Sequence, residues 1–366
     1  MTRPAGKHTQ SGGFTLVEVL VASAILVAML GFLLVVMDQT ARIWSGTSAK
    51  VEQFREARTG FERVTTRLSQ ATLNTYWDYD YNTASPPVPT RYARRSELRF
   101  IAGSAATLLG NSGSAARVTH AIFFNAPLGI TGSTNYEGLA NALNTFGYFT
   151  ELADDTGQRP PFITTAMIPL RWRFRLMEFS QPTEKFSLYQ FTSGTPKFPN
   201  LATDYKTTEW FTNDVNNSAV LKRVITENVI ALIITPRLAK AEESEVEKAV
   251  FPLEANKPDF SPLAPNYSYD STGKDINPQL NPKNQLPPVV QLTMVAIDDR
   301  SAEKLDLTGV AQADVFKMAT LFTDTRNLTT DLATLEGTLA ARHLRYRIFT
   351  TNVHIRAAKW SREQTN

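Results

Sequence analysis

Residues 14–37, FTLVEVLVASAILVAMLGFLLVVM, form an apolar run with a single charge, Glu18, and no proline. Wound as a helix rising ~1.5 Å per residue, such a run reaches ~36 Å, enough to cross a ~30 Å hydrocarbon core. A secretory signal explains it poorly, because the apolar stretch of such signals spans roughly 7–15 residues. The A-x-A match Ala22-Ser23-Ala24 also lies inside the run. A membrane anchor fits better, yet an ordinary anchor leaves Glu18 unexplained. A carboxylate at the centre of a span costs on the order of 2.5–3.5 kcal/mol, so an intramembrane acid points to function. Four residues after Phe14, it can snorkel toward the interface at a lower cost.

The rest of the composition narrows the classes. With 366 residues the chain has room for two or three domains' worth of core, and 42% hydrophobic content excludes wholesale disorder. The absence of cysteine removes disulfides, thiolate nucleophiles and Cys-based metal sites together. A net charge of +3 is too small for a nucleic-acid binder, so no nucleic-acid partner is expected.

The string around the start of the run is more specific. Ser11-Gly12-Gly13-Phe14-Thr15-Leu16-Val17-Glu18-Val19-Leu20 follows a short leader carrying Arg3 and Lys7 without an acid. It resembles the processing site of type IV prepilins and type II secretion pseudopilins. The resemblance implies cleavage between Gly13 and Phe14 by a membrane-embedded prepilin peptidase and methyltransferase, with Phe14 becoming the N-methylated terminus. Glu18 is then the fifth residue of the mature chain, where that class places its acid. A buried ammonium and carboxylate are tolerable mainly as a pair. Glu18 of one subunit is therefore expected to neutralise the terminal amine of a neighbour during assembly. Arg42, Lys50 and Arg55 follow the span, so Lys/Arg bias does not orient it. The resemblance does. It implies an inner-membrane, single-pass protein with a cytoplasmic N-terminus and a periplasmic or extracellular C-terminal domain.

Beyond the span, Val51, Phe54, Ala57, Phe61, Val64, Leu68 and Ala71 recur at three- or four-residue steps, the stripe of an amphipathic helix. One long helix over about 14–73 is expected, bent near Gly46 or Gly60 and packed through its second half on a globular domain. Residues 75–95, rich in aromatics and proline, read as a loop. Strands are expected at 97–102, 118–125, 171–179, 229–235 (as a central strand), 289–297 and 349–357, and helices at about 135–143 and 328–343. The segment 252–288 carries many prolines and reads as poorly ordered or edge-lying. The acidic run Glu242, Glu243, Glu245 and Glu247 before it reads as a solvated face. The fold class is then α+β: a long N-terminal hydrophobic and amphipathic helix packed on a mostly antiparallel sheet domain with loop insertions. The expected organisation is a leader (1–13), a membrane and assembly helix (14–37), its amphipathic extension (38–74) and a globular domain (75–366).

The globular part carries a second resemblance. The order LKRVITENVIALIITP (221–236) then LPPVVQLTMVA (286–296) resembles the closing sheet of J-type minor pseudopilins. The tail RYRIFTTNVHIRAAKWS (345–361) is more similar to the cassette protein C group of Verrucomicrobial prepilin-signal proteins. Together these imply a pilin-like fold and a minor subunit of a pilus or secretion pseudopilus. Its partners would be other pilin-like subunits and an inner-membrane assembly platform. The alternative is a single-pass envelope protein whose outer domain binds a ligand and which uses the prepilin route only for delivery.

No enzymatic constellation is assembled by the sequence. The four histidines (His8, His120, His343, His354) are scattered, and no H-E-x-x-H, G-x-S-x-G or P-loop occurs. Ser271–Lys274 and Ser301–Lys304 match the core of Ser-Lys hydrolases without its companion motifs. The protein is expected not to be an enzyme and to need no cofactor. Asp78, Asp80 and Asn82 begin like a calcium loop, but Thr83 and Pro89 replace the Gly and Glu of an EF-hand, leaving a non-EF Ca²⁺ loop as the candidate metal site. Arg171, Arg173 and Arg175 alternate with Trp172, Phe174 and Leu176, and read as the wet face of a half-buried strand.

Overall fold

Alternating apolar positions give this chain two antiparallel sheets, and one helix supplies the face that both of them bury. The computed structural model describes residues 15–111, 115–160, 162–187, 208–217, 221–254, 257–273 and 280–361; over 42–53 it describes the helical backbone alone. The chain divides into two units, 1–53 and 54–366. The first contains the start of α1 (Leu16–Leu68), and the second takes up that helix from Phe54 onward.

The second unit is α+β. Its elements run β1 (Tyr76–Tyr81), β2 (Pro89–Arg95), β3 (Ile101–Ser104), α2 (Ala105–Leu109), β4 (Ala115–Pro127), β5 (Leu143–Ala153) and β6 (Arg173–Gln181). Then follow α3 (Glu209–Asn217), β7 (Lys222–Glu227), β8 (Val229–Arg237), α4 (Lys240–Val250), β9 (Tyr269–Asp270), β10 (Val289–Ile297), α5 (Asp299–Lys304), α6 (Leu328–Ala341) and β11 (Tyr346–His354). A six-stranded sheet has the order β7-β6-β5-β4-β3-β9, a three-stranded sheet the order β11-β10-β8, and β1-β2 form a separate hairpin. All these pairings are antiparallel.

The expected helical stripe is the centre of the core. Ala57, Phe61, Val64, Leu68 and Ala71 are buried against Phe124, Phe146 and Tyr148 of one sheet and Leu232, Leu292 and Met294 of the other. Gly60 marks close approach: a Cβ there would meet Ile225 Cγ2 at 3.0 Å and Thr226 Cγ2 at 3.2 Å. The opposite face of the large sheet is covered by α2 and α3 through Phe123, Phe149, Phe211 and Val215. The opposite face of the small sheet is covered by α6 through Leu335 and Leu339.

Several sequence expectations need correction. Residues 75–95 are a hairpin, not a loop, because Asp80 and two arginines clamp its strands and Trp77, Tyr79 and Tyr92 pack across them. The helix expected at 135–143 is a single 3₁₀ turn, Thr134–Tyr136. Gly138 at φ +92° breaks it, and the aromatic run that follows enters β5. The strand expected at 97–102 begins only at Ile101, since Ser96 Oγ takes the Leu98 amide and diverts the backbone. Within 252–288, Phe260, Ala264, Tyr267 and Leu286 are buried; the edge-lying part is β9, beside β3. Glu243 and Glu247 are buried rather than solvated, as are Arg173 and Arg175, whereas Arg171 is exposed.

β8, expected as a central strand, ends its ladder, and β4 seals its free edge. The register of β4 breaks between Val118 and Ala121, with Thr119 at φ +55°. Thr119 Oγ1 accepts from the Leu232 amide at 3.0 Å, and His120 Nδ1 accepts from the Ile234 amide at 3.1 Å. Nε2 must therefore carry the proton it donates to the Phe322 carbonyl at 3.0 Å, so His120 is neutral. Burial pushes it down to about 4. Because the folded value lies below the ordinary ~6.5, the unfolded chain takes up the proton first as pH falls. Stability should drop by about 3 kcal/mol between pH ~6.5 and ~4 from this group. Comparing denaturation of wild type and His120→Gln between pH 7 and 5 checks it: the wild type should lose more stability than the variant, and parallel profiles would contradict this.

Candidate functional site

The helix at the N-terminus is the first candidate. Leu16–Ala41 is long and apolar enough to cross a membrane, and none of it is buried within the protein. Leu16, Leu20, Leu26, Leu30, Phe32 and Leu34 all stand exposed. A continuous apolar surface of this extent calls for lipid or other apolar helices around it.

Glu18 sits at the entry of that helix in a reciprocal cap. Its amide donates to Thr15 Oγ1 at 3.3 Å, while its Oε2 accepts from the Thr15 amide at 3.0 Å and the Thr15 hydroxyl at 2.9 Å. This is a capping box, with Thr15 as N-cap and Glu18 at the third helical position. The carboxylate is thereby turned back toward the chain start, at the positive end of the helix dipole. Gly13 and Phe14, the expected cleavage and methylation positions, lie outside the described residues. The T-x-x-E spacing was readable in the sequence as a capping box, and that signal was missed.

Within the second unit, a buried carboxylate ties α1 to the large sheet. Glu178 on β6 has no exposure. Arg63 Nε donates to its Oε2 at 3.0 Å, Arg67 Nη1 stands 2.6 Å from Oε1, Arg223 of β7 donates to Oε1, and the Tyr148 hydroxyl donates to Oε2 at 2.9 Å. Burial raises the Glu178 carboxyl, but Arg223, Arg67 and Tyr148 outweigh it and hold the group below the usual range. Tyr148 is raised by burial and by that same carboxylate.

Arg175 of β6 belongs to a second electrostatic row. Arg117, Glu151, Arg175 and Glu227 are direct cross-strand neighbours on β4, β5, β6 and β7. Arg175 Nε donates to Glu227 Oε1 at 3.2 Å, and Arg117 Nε lies 3.7 Å from Glu151 Oε2. Of the stripe that reads as basic in one strand, Arg175 is met by acids on both neighbouring strands, a relation invisible within a single segment, while Arg173 donates to the Trp172 and Ala302 carbonyls and Arg171 lies 3.6 Å from Asp299.

The candidate calcium ligands all lie at the hairpin. Asp80 is paired to Arg91 and Arg95, and the Arg91 hydrogen bond first of all keeps its carboxyl below the ordinary range. Asn82 Oδ1 accepts from the amides of Ala84 at 3.2 Å and Val88 at 2.9 Å, closing the turn. Asp78 Oδ1 accepts from the Tyr79 amide at 2.8 Å. Two guanidiniums on Asp80 compete directly with a cation. Among the described residues no group of three His, Asp or Glu side chains is placed to hold a metal ion.

The remaining candidates are dispersed. His8 and Lys274 lie outside the described residues. His354 is exposed on β11, and His343 follows α6 at φ +54°. Ser271 Oγ accepts from the Phe100 amide at 2.9 Å, and Ser301 Oγ from the Arg345 amide at 2.7 Å. Lys304 Nζ donates to the His343 carbonyl at 3.4 Å. Both hydroxyls thus serve backbone positioning. No family model matches the chain, and neither a curated protein nor a solved structure matches it.

Removing one member of a buried ion cluster leaves the others uncompensated, at a cost of about 3 kcal/mol or more. Glu178→Ala should lose stability on that scale in denaturation of the full chain in detergent. A variant as stable as wild type would show that the apolar stripe alone seats α1.

Proposed function

We propose that the chain is a minor pilin- or pseudopilin-like structural subunit. It is processed between Gly13 and Phe14 by prepilin peptidase, N-methylated at Phe14, and assembled through its N-terminal helix into an envelope pilus or secretion pseudopilus. The observation that carries this reading is the conjunction of an exposed apolar helix with one acid at its entry, turned toward the chain start. An anchor alone needs no such acid. A subunit that must neutralise a neighbour's terminal ammonium in an apolar setting does. The carboxylate is then shared in time: it caps its own helix in the free subunit and pairs with a neighbour's amine in the assembly. In this reading the protein is the substrate of the processing enzyme and not itself an enzyme. It uses no cofactor, and its globular domain lies outside the inner membrane.

A second reading keeps the processing but not the assembly: the prepilin route delivers an outer domain that binds a ligand. An open cavity of about 700 Å³ beside α4 favours it.

The cysteine-free sequence allows a direct test. Leu26→Cys, on the exposed face of the helix and labelled with benzophenone maleimide, should give photo-cross-linked species with pilin-like partners in native membranes. Adding Glu18→Ala should leave cleavage intact and reduce that cross-linking several-fold. Unchanged cross-linking without Glu18 would contradict its role in assembly, and a helix that never cross-links would favour delivery alone.

A further inference from the structure

The outer face of the three-stranded sheet changes character along its length. Toward one end Ile233, Val295, Ile297 and Ile348 pack under α6. Toward the other, two cross-strand rows turn polar: Thr235–Gln291–Asn352 and Arg237–Val289–His354. The cavity of about 700 Å³ lies over this polar end, with Gln291 and Asn352 in its floor and Glu243 and Glu247 of α4 in its wall. Thr235, in the same row as Gln291, is 1% exposed and its Oγ1 has no hydrogen-bond partner.

Glu243 and Glu247 stand one turn apart on α4 and are both buried, although carboxylates are rarely buried unless paired. Glu243 is paired: Arg237 Nε and Nη2 donate to its oxygens at 3.1–3.3 Å. The other contacts of Arg237 go to Gln291 Oε1 and to the carbonyls of Pro258, Asp259 and Phe260. Little of that guanidinium is left for Glu247. Glu247 is 8% exposed and, among the described residues, its side chain has no hydrogen bond and no ion pair; Arg237 acts on it only at longer range. Lys240 is exposed at the cavity rim, and Lys257 is held by Glu254 at 2.7 Å. Burial raises the Glu247 carboxyl above its ordinary range, as expected of a buried charge short of a counter-ion.

We propose that this cavity binds a primary ammonium group, carried by a small amine or by a lysine side chain of a partner, with Glu247 as its counter-ion and Gln291 and Asn352 bonding the atoms that follow. An ammonium offers a compact charge and three donors, which suits one free carboxylate flanked by side-chain amides. A calcium ion asks for six to eight oxygen ligands, more than this wall and floor bring together. An anion would face the Glu247 carboxylate, whereas Glu243 is already paired with Arg237. The inference is independent of how the N-terminal helix is processed.

Calorimetric titration of the full-length protein in detergent at neutral pH, with 1,5-diaminopentane and separately with Nα-acetyl-lysine methylamide, tests it. Saturable binding of at least one probe is expected. Glu247→Gln should weaken it about tenfold or more, while Glu245→Gln, at an exposed position of α4, should leave it unchanged. Preference for the diamine assigns a small ligand and preference for the lysine derivative a partner's side chain; either supports the site. Absence of saturable binding by both probes, or binding that survives Glu247→Gln, overturns it. Because the substitution removes a buried charge lacking a partner, Glu247→Gln should melt no lower than wild type. A clear loss of thermal stability would make Glu247 a structural ion and overturn the proposal equally.

Discussion

Glu178, a carboxylate shut off from water, faces three guanidiniums and one phenol, and the placement of α1 on the sheet depends on it. Apolar burial of Ala57, Phe61, Val64 and Leu68 supplies most of the attraction, but such burial is non-directional. A slide of one turn would still bury an apolar stripe. Because Arg63 and Arg67 stand one turn apart, it would also leave Glu178 with one guanidinium of α1 instead of two, and a buried charge short of a partner costs more than a shifted methyl contact. The ion cluster therefore selects the register that the hydrophobic stripe leaves loosely specified. With α1 seated, both sheets have a common face to bury, and Thr119 and His120 close the seam between them.

The same helix meets a different demand toward its N-terminus. From Leu16 to Ala41 it is apolar on every side, so no single face can be turned inward to satisfy it. Among the described residues none buries any of that run. At the entry of the run, the capping box of Thr15 and Glu18 satisfies two amides with the two side chains nearest to them. With no cysteine available, the second unit is held by packing, hydrogen bonds and buried ion pairs, without disulfides.

What could be read in advance divides along physical lines. The stripe from Phe54 to Ala71 was legible because helical periodicity reports burial directly, and α6 and β10 were legible for similar reasons. Arg173, Arg175, Glu243 and Glu247 were not. Alternation shows that a strand or helix has two faces, but it cannot say that both are covered or that a charge on one element meets its opposite on another. The hairpin at 76–95 was missed because aromatics and prolines together read as a loop, while its strands are held by partners across the ladder. Of the candidate site, Glu18 stood out by its solitude in an apolar run, but its capping box with Thr15 was not read. The cavity beside α4 was not legible either, because it is built from strands and a helix far apart in sequence.

N-terminal sequencing and intact mass of the protein recovered from its own membrane test the proposed processing most directly. An N-methylated Phe14 terminus is the expected result, and a chain that still begins at Met1 would contradict it.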